Sequence, residues 1–244
     1  MKTAIITGAS RGVGKAAAKI FAQSGYRLII NCRSNFDLLE TTAAELRASA
    51  KQEILTVHGP ITEDVLQNHL GISLDTAGTP EDELILINNG SISTFNLVQD
   101  VSDEEYSRMI ESNISTMFRT TRAIIPYMLK TGKGRIINIS SVWGVVGASM
   151  ESVYSLTKGA VNSFTMALGK ELAPNHIPVN AVALGCVDTD MNSWMNEDDR
   201  AEIEEEIPYG RMATPAEVAD FLLLLSKAPA YLTAQVIPFN GGWS

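Results

Sequence analysis

Short runs of β-branched and aliphatic residues alternate along the whole chain with stretches of helical apolar spacing, and no other feature constrains the fold as strongly. Residues 3–7 lead through a glycine-rich turn into a helical pattern over 13–22. A strand at 28–31 precedes a helix over 38–50, and a strand at 54–57 precedes a helix beginning near Thr62. The run 84–87 is followed by a helix that opens at Ser102, carries the capping-box residue Glu105, and extends towards Leu129. A strand at 135–139, a long helix over 153–172, a strand at 179–183, a helix starting at Thr214-Pro215-Ala216-Glu217 and a strand around 234–239 complete the series.

Strands separated by helices imply βαβ crossovers, and a run such as 84–87, apolar on both faces, implies a parallel sheet covered by helices on each side. The expected fold class is α/β, a doubly wound parallel sheet. With 244 residues, 45% of them hydrophobic and evenly spread, and no linker, it forms a single domain over 1–244. Ligands of such sheets bind beyond the carboxyl ends of the strands, so the residues after Thr7, Asn31, Val57, Ile87, Ile139 and Ala183 carry the function.

The first of these positions reads Thr7-Gly8-Ala9-Ser10-Arg11-Gly12-Val13-Gly14. Glycines let the chain turn tightly and bring backbone N–H groups against a pyrophosphate, while the following helix offers its positive end. Gly8, Ser10, Arg11, Gly12, Val13 and Gly14 are therefore candidate dinucleotide contacts. At the end of the second strand, where an NAD site carries an acid for the ribose 2′-hydroxyl, the chain reads Asn31-Cys32-Arg33, with no carboxylate before Asp37. Arg33 and Arg11 suit a 2′-phosphate instead, so NADP(H) is expected; the alternative is that both are solvated surface residues.

Tyr154 and Lys158 stand four apart, on one face of a helix. That spacing alone is weak. With Ser141 ending the fifth strand and Asn113 inside the long helix, however, the set resembles the Asn, Ser, Tyr, Lys tetrad of the short-chain dehydrogenase/reductase family. The Gly-x-x-x-Gly-x-Gly spacing from Gly8 to Gly14 resembles that family's nucleotide signature, and the likeness runs through Ile137-Asn138-Ile139-Ser140-Ser141 to Asn240-Gly241-Gly242. The resemblance implies a Rossmann fold with strand order 3-2-1-4-5-6-7 and hydride transfer between NADP(H) and a carbonyl or alcohol carbon. It further implies cofactor contacts at the backbone of Ile61, at Asn89 and Gly90, at Val187 and Thr189, and at Lys158 with Tyr154. Asn113 would hold a water leading from Lys158 to solvent. In chemical terms, a free phenol with a pKa of about 10 is poorly matched to neutral pH, so the Lys158 charge, with that of the oxidised nicotinamide, is expected to lower the pKa of Tyr154. Ser141 can donate to the substrate oxygen. Three positions depart from the family: Leu184 stands for Pro, Ser91 ends an Asn-Asn-Gly-Ser segment in place of Asn-Asn-Ala-Gly, and Pro60 replaces an Asp that holds adenine.

A formal charge of -9 excludes a basic nucleic-acid surface. His58, His69 and His176, with Cys32 and Cys186, form no metal-ligand spacing, and no run approaches the roughly 20 apolar residues that span a bilayer. A cytoplasmic protein is expected. The closest look is to bacterial 3-oxoacyl-[acyl-carrier-protein] reductases, with Met150, Met191, Trp194 and Met195 as a candidate acyl slot and residues 189–211, including the acidic stretch 196–206, as a lid. The places of the two basic carrier-docking residues hold Gly132 and Asn175; Lys130, Lys133 and Arg135 lie close enough to substitute in part, but an acidic surface disfavours an acyl carrier protein. The rival readings are a reductase of a small ketone or hydroxy compound and a non-catalytic NADP-binding protein. The resemblance also implies a homotetramer built on the helices beginning near Ser102 and Val153.

Overall fold

A computed structural model of the chain describes residues 2–70, 83–193 and 195–243. Its sheet follows from the apolar runs. β1 (Lys2–Ile6), β2 (Arg27–Cys32), β3 (Ile54–His58), β4 (Glu83–Asn88), β5 (Gly134–Ser141), β6 (Val179–Leu184) and β7 (Val236–Phe239) pair in parallel in the order 3-2-1-4-5-6-7. That is the expected order.

Neighbouring residues of each strand point to opposite faces, so both must be apolar when both faces are covered. Ile6, Ile30, Ile85 and Ile137 pack under α1 (Gly12–Gln23), α2 (Phe36–Arg47) and α8 (Pro215–Ser226), through Ala17, Phe21, Leu39, Val218 and Leu222. Ile5, Ile29, Leu86 and Ile136 pack under α3 (Glu63–Leu70), α5 (Thr116–Thr131) and α6 (Ser152–Leu172), through Leu66, Ile124, Tyr127 and Leu168.

The helix expected to run unbroken from Ser102 is instead α4 (Asp103–Ile110), a π-helical turn at Glu111–Ser115, and α5. Ser102 does supply the expected capping box with Glu105. The wider turn carries Asn113, whose amide is tied to the backbone of Ile92 on one side and to Thr157 of α6 on the other. Meeting both partners competes with regular α-helical register, and a π turn is the usual compromise at such a point.

Two glycines of the turn after β1 are required for different reasons. A Cβ on Gly14 would fall 2.2 Å from the carbonyl oxygen of Gly8, whereas Gly12 has φ +54 and open space save the methyl of Thr189 at 3.4 Å. Gly14→Ala is therefore expected to cost about 3 kcal/mol or more, and Gly12→Ala only the left-handed penalty of about 1–2 kcal/mol. Chemical denaturation of the two variants checks this, and equal losses would contradict it.

Candidate active site

The carboxyl ends of the strands are joined by side chains. Thr7 Oγ1 accepts the N–H groups of Asn89 and Gly90 at 2.9 and 3.0 Å, and Asn89 Nδ2 donates back to the carbonyls of Thr7 and Gly8. Gly8 N–H donates to Asn31 Oδ1 at 3.2 Å, and Asn31 Nδ2 donates to the carbonyl of Gly59 at 2.7 Å. The backbone at Gly8 and Gly90 approaches so closely that a Cβ on Gly8 would lie 2.6 Å from Gly90 Cα.

Above this floor the N-terminus of α1 has no side-chain cap and no acid in its first turn. Uncapped N–H groups and the positive end of a twelve-residue helix suit a pyrophosphate, so the turn fits a dinucleotide. Gly8, Gly12, Gly14, Asn89, Gly90 and Thr189 are brought together there. Ser10 and Val13 are buried, the Ser10 carbonyl accepting from Thr42 Oγ1 at 3.2 Å. Ile61 is buried too, and its carbonyl accepts from Thr120. Val187 forms a bridge with Ala213, and its carbonyl accepts from Asn192 Nδ2 at 2.8 Å. Arg33 is exposed at the end of β2. Arg11, expected to face a phosphate, pairs instead with Asp190 at 3.5 Å. Leu184 ends β6 paired with Ser141 and Phe239, so the position needs no proline to be fixed.

Asn113, Ser141, Tyr154 and Lys158 converge between β5 and α6. Helix α6 approaches the turn after β5 at Gly144, where a Cβ would lie 2.6 Å from the Lys158 carbonyl carbon. Asn162 Nδ2 donates to the Gly144 carbonyl at 2.9 Å, and Ser140 Oγ to the Lys158 carbonyl at 3.3 Å. This close docking brings the Ser141 hydroxyl near enough to that of Tyr154 to favour the phenolate. Lys158 Nζ donates to the Ile139 carbonyl at 2.9 Å and lies 5.5 Å from the centre of the Tyr154 ring. Both amide atoms of Asn113 are engaged, Oδ1 by Ile92 N–H and Nδ2 by the Ile92 carbonyl and Thr157 Oγ1.

The chain's own groups act on Tyr154 and Lys158 chiefly through burial. Tyr154 is raised: burial comes first, the nearby Glu151 carboxylate second, and only the Ser141 hydrogen bond opposes them. Burial also pulls Lys158 down to about 8. Glu151 was not foreseen. It stands at the N-terminus of α6, accepts from Ser93 Oγ at 2.7 Å and from Trp143, and its own pKa is pushed up by burial.

Residues 2–200 match the short chain dehydrogenase family. The chain belongs to the short-chain dehydrogenases. It is 39% identical over 245 residues to the uncharacterized oxidoreductase YmfI of Bacillus subtilis, covering 99% of this chain and 98% of that one. It is 34% identical to the 3-oxoacyl-[acyl-carrier-protein] reductase FabG of Escherichia coli, covering 99% and 96%. Among solved structures, a tryptophan variant of actinorhodin polyketide ketoreductase with NADPH superposes with a TM-score of 0.85 at 30% identity, over 99% of this chain and 96% of that one. A 3-oxoacyl-[acyl-carrier protein] reductase from Brucella melitensis gives 0.87 at 29%, over 99% and 91%.

As a short-chain dehydrogenase the protein is an oxidoreductase, and no helix among its described residues is long and apolar enough to cross a membrane. The expected acyl slot is only partly assembled. Met195 lines a pocket with Thr189 and Met212, while Met150 and Met191 are exposed; Trp194 lies outside the described residues. Arg135, expected to help dock a carrier, is buried and donates to the Ala228 carbonyl, which takes it out of the surface.

Lys158 has a folded pKa below its free value of 10.5, so the cost of burying its ammonium is full below about pH 8 and is relieved as pH rises from there towards 10.5. Lys158→Met is expected to raise stability at pH 7 by roughly 2 kcal/mol, the lost bond to Ile139 offsetting part of the gain. The advantage shrinks at pH 9.5. Denaturation at both pH values tests this, and a difference that does not change with pH would contradict it.

Proposed function

We propose that the protein is an NADP(H)-dependent carbonyl reductase. The observation that carries this reading is the burial of Tyr154, Ser141 and Lys158 together where α6 docks on the end of β5, at the same carboxyl edge of the sheet as the uncapped helix end of the glycine turn. Gly8, Gly12, Gly14, Asn89, Gly90, Val187, Thr189 and Lys158 would hold the nucleotide, which supplies a hydride when bound. Arg33, exposed beyond β2 with no acid beside it in sequence, supports NADP(H) over NAD(H).

The chain's own part is the proton. Tyr154 keeps its phenol protonated across the neutral range, the state that can give a proton to an oxygen gaining negative charge. Ser141 holds the same oxygen with a second donor. Lys158, with a pKa near 8, can then return a proton from the solvent side.

For the substrate, likeness to FabG and to a polyketide ketoreductase supports a 3-oxoacyl thioester on carrier protein or CoA. A small ketone or hydroxy compound is the second reading, favoured by the burial of Arg135 and by the net charge of -9. Helix α7 (Glu197–Glu206) buries none of its residues and is suited to act as a lid. Exposed Tyr106, Phe118, Leu129, Leu156 and Met166 on α4, α5 and α6 support a homotetramer. The acidic chain has no feature for nucleic acid, and a cytoplasmic location remains our reading.

With NADPH and NADH against a panel of ketones, acetoacetyl-CoA and acetoacetyl carrier protein, Tyr154→Phe is expected to lose 10²–10⁴-fold in turnover while still binding nucleotide. Arg33→Ala is expected to erode a preference for NADPH by about tenfold. Tight NADPH binding with no turnover of any carbonyl would instead make the chain a nucleotide-binding protein. Sedimentation equilibrium is expected to give four copies, and replacing Phe118 and Leu156 by Glu to dissociate them; a stable wild-type monomer would overturn the tetramer.

A further inference from the structure

Two hydrogen bonds fasten the segment after β4 to the residues just before α6: Asn96 N–H to the Met150 carbonyl at 2.8 Å, and Ser93 Oγ to Glu151 Oε2 at 2.7 Å. Glu151 is the first turn's neighbour of Tyr154, three residues earlier and on the same helix face. Its carboxylate does not cap its own helix. It accepts instead from Ser93 Oγ and from the indole of Trp143, a residue whose backbone N–H separately donates to Ser141 Oγ at 3.2 Å. The acid is thus tied to both walls of the cleft in which the two reacting hydroxyls meet.

Its charge is felt there. It raises the phenol of Tyr154, and it adds to the rise of the Cys186 thiol across the cleft. Among the described residues no lysine, arginine or histidine forms an ion pair with it. A half-buried carboxylate with two neutral donors keeps lone pairs free, and burial leaves its charged form short of a counter-charge. The structural alternative, that Glu151 only braces the 93–96 segment, needs one hydrogen bond and no charge; Gln would serve it as well.

We propose that Glu151 is a specificity-determining residue that pairs with an ammonium group on the carbonyl substrate. This deepens the carbonyl-reductase reading and rests on it. The substrate class is an amino-ketone, with its cationic nitrogen placed by Glu151 while the carbonyl oxygen sits between Tyr154 and Ser141. An anionic ketone is disfavoured by the same charge.

Three acetoacetamides of matched size separate the outcomes: one with a dimethylaminoethyl arm, its neutral isopentyl isostere, and a carboxyethyl analogue. The wild-type protein is expected to give kcat/KM for the ammonium compound at least about tenfold above the isostere, and for the carboxylate below it. Glu151→Gln keeps the Ser93 bond and is expected to bring the ammonium-to-isostere ratio close to one; Glu151→Lys is expected to turn the preference towards the carboxylate. A bracing role would move none of these ratios. Near-equal values for the wild-type protein overturn the proposal without any variant having to fold, as does a preference that survives in Glu151→Gln. If none of the three is reduced although the ketone panel is, Glu151 is not a substrate residue and the reductase reading stands; if nothing is reduced anywhere, both fall.

Discussion

The catalytic end of this protein depends on a line of buried amides and hydroxyls that crosses the sheet. Asn88 Nδ2 donates to Thr121 of α5 at 2.9 Å and to Asn138 Oδ1 at 2.8 Å, and Asn138 Nδ2 donates to Thr165 of α6 at 2.8 Å. One continuous chain therefore joins α5, β4, β5 and α6, with Asn88 and Asn138 as register partners. Each bond contributes only about 1 kcal/mol net, but an amide left unpaired at this depth costs about 1–3 kcal/mol. The line therefore acts as a whole, and it sets α6 against β5 where Ser141 and Tyr154 must meet. Asn31, Asn89 and Asn113 extend the same device to the nucleotide side, each fastening backbone just beyond the end of a strand.

Such close docking shuts water out, and that determines the charge states. Tyr154 and Lys158 are shifted towards their neutral forms, the phenol up and the ammonium down. A lysine near a tyrosine in water would lower its pKa; in a cleft walled by Gly144, Val142 and Ile139, the loss of solvation acts on both. The proton on Tyr154 is held firmly until an oxygen able to take it arrives.

Much of this was legible in the sequence because it is periodic or local. Strands apolar on both faces, the glycine turn before α1, the capping boxes at Ser102 and Thr214, and the four-residue step from Tyr154 to Lys158 are fixed by neighbours in the chain. The strand order came from resemblance, since no pattern within a strand names its neighbour. What stayed hidden depends on burial and on distant partners. Asn88 and Asn138 read as ordinary polar residues until the register places them side by side. Arg135 reads as a surface cation, yet the Ala228 carbonyl receives it. Glu151 lies outside every periodic segment, and only the return of the chain at Ser93 and Trp143 gives it a role.

The segment after β6 shows how rigid and loose parts meet at one site. Backbone bonds hold its first half: Asp188 N–H donates to the Ala213 carbonyl at 2.9 Å, and Ala213 N–H to the Cys186 carbonyl at 3.0 Å. Val187 and Thr189 are thereby fixed over the glycine turn. Beyond Thr189 a short helical turn is pinned by Asn192 Nδ2 on the Val187 carbonyl, and exposed ion pairs, Arg11 with Asp190 and Arg200 of α7 with Asp188, add to it. Exposed pairs of this kind contribute little and are screened by salt. Helix α7, with no buried residue, adds no apolar anchor. Rigid and loose parts therefore alternate: the floor of the site is built before any ligand arrives, and its cover is anchored at both ends, by Asn192 on the Val187 carbonyl and by buried Ile207 with Tyr209 N–H on the Gly241 carbonyl, while α7 between them is tied down by polar contacts at its surface.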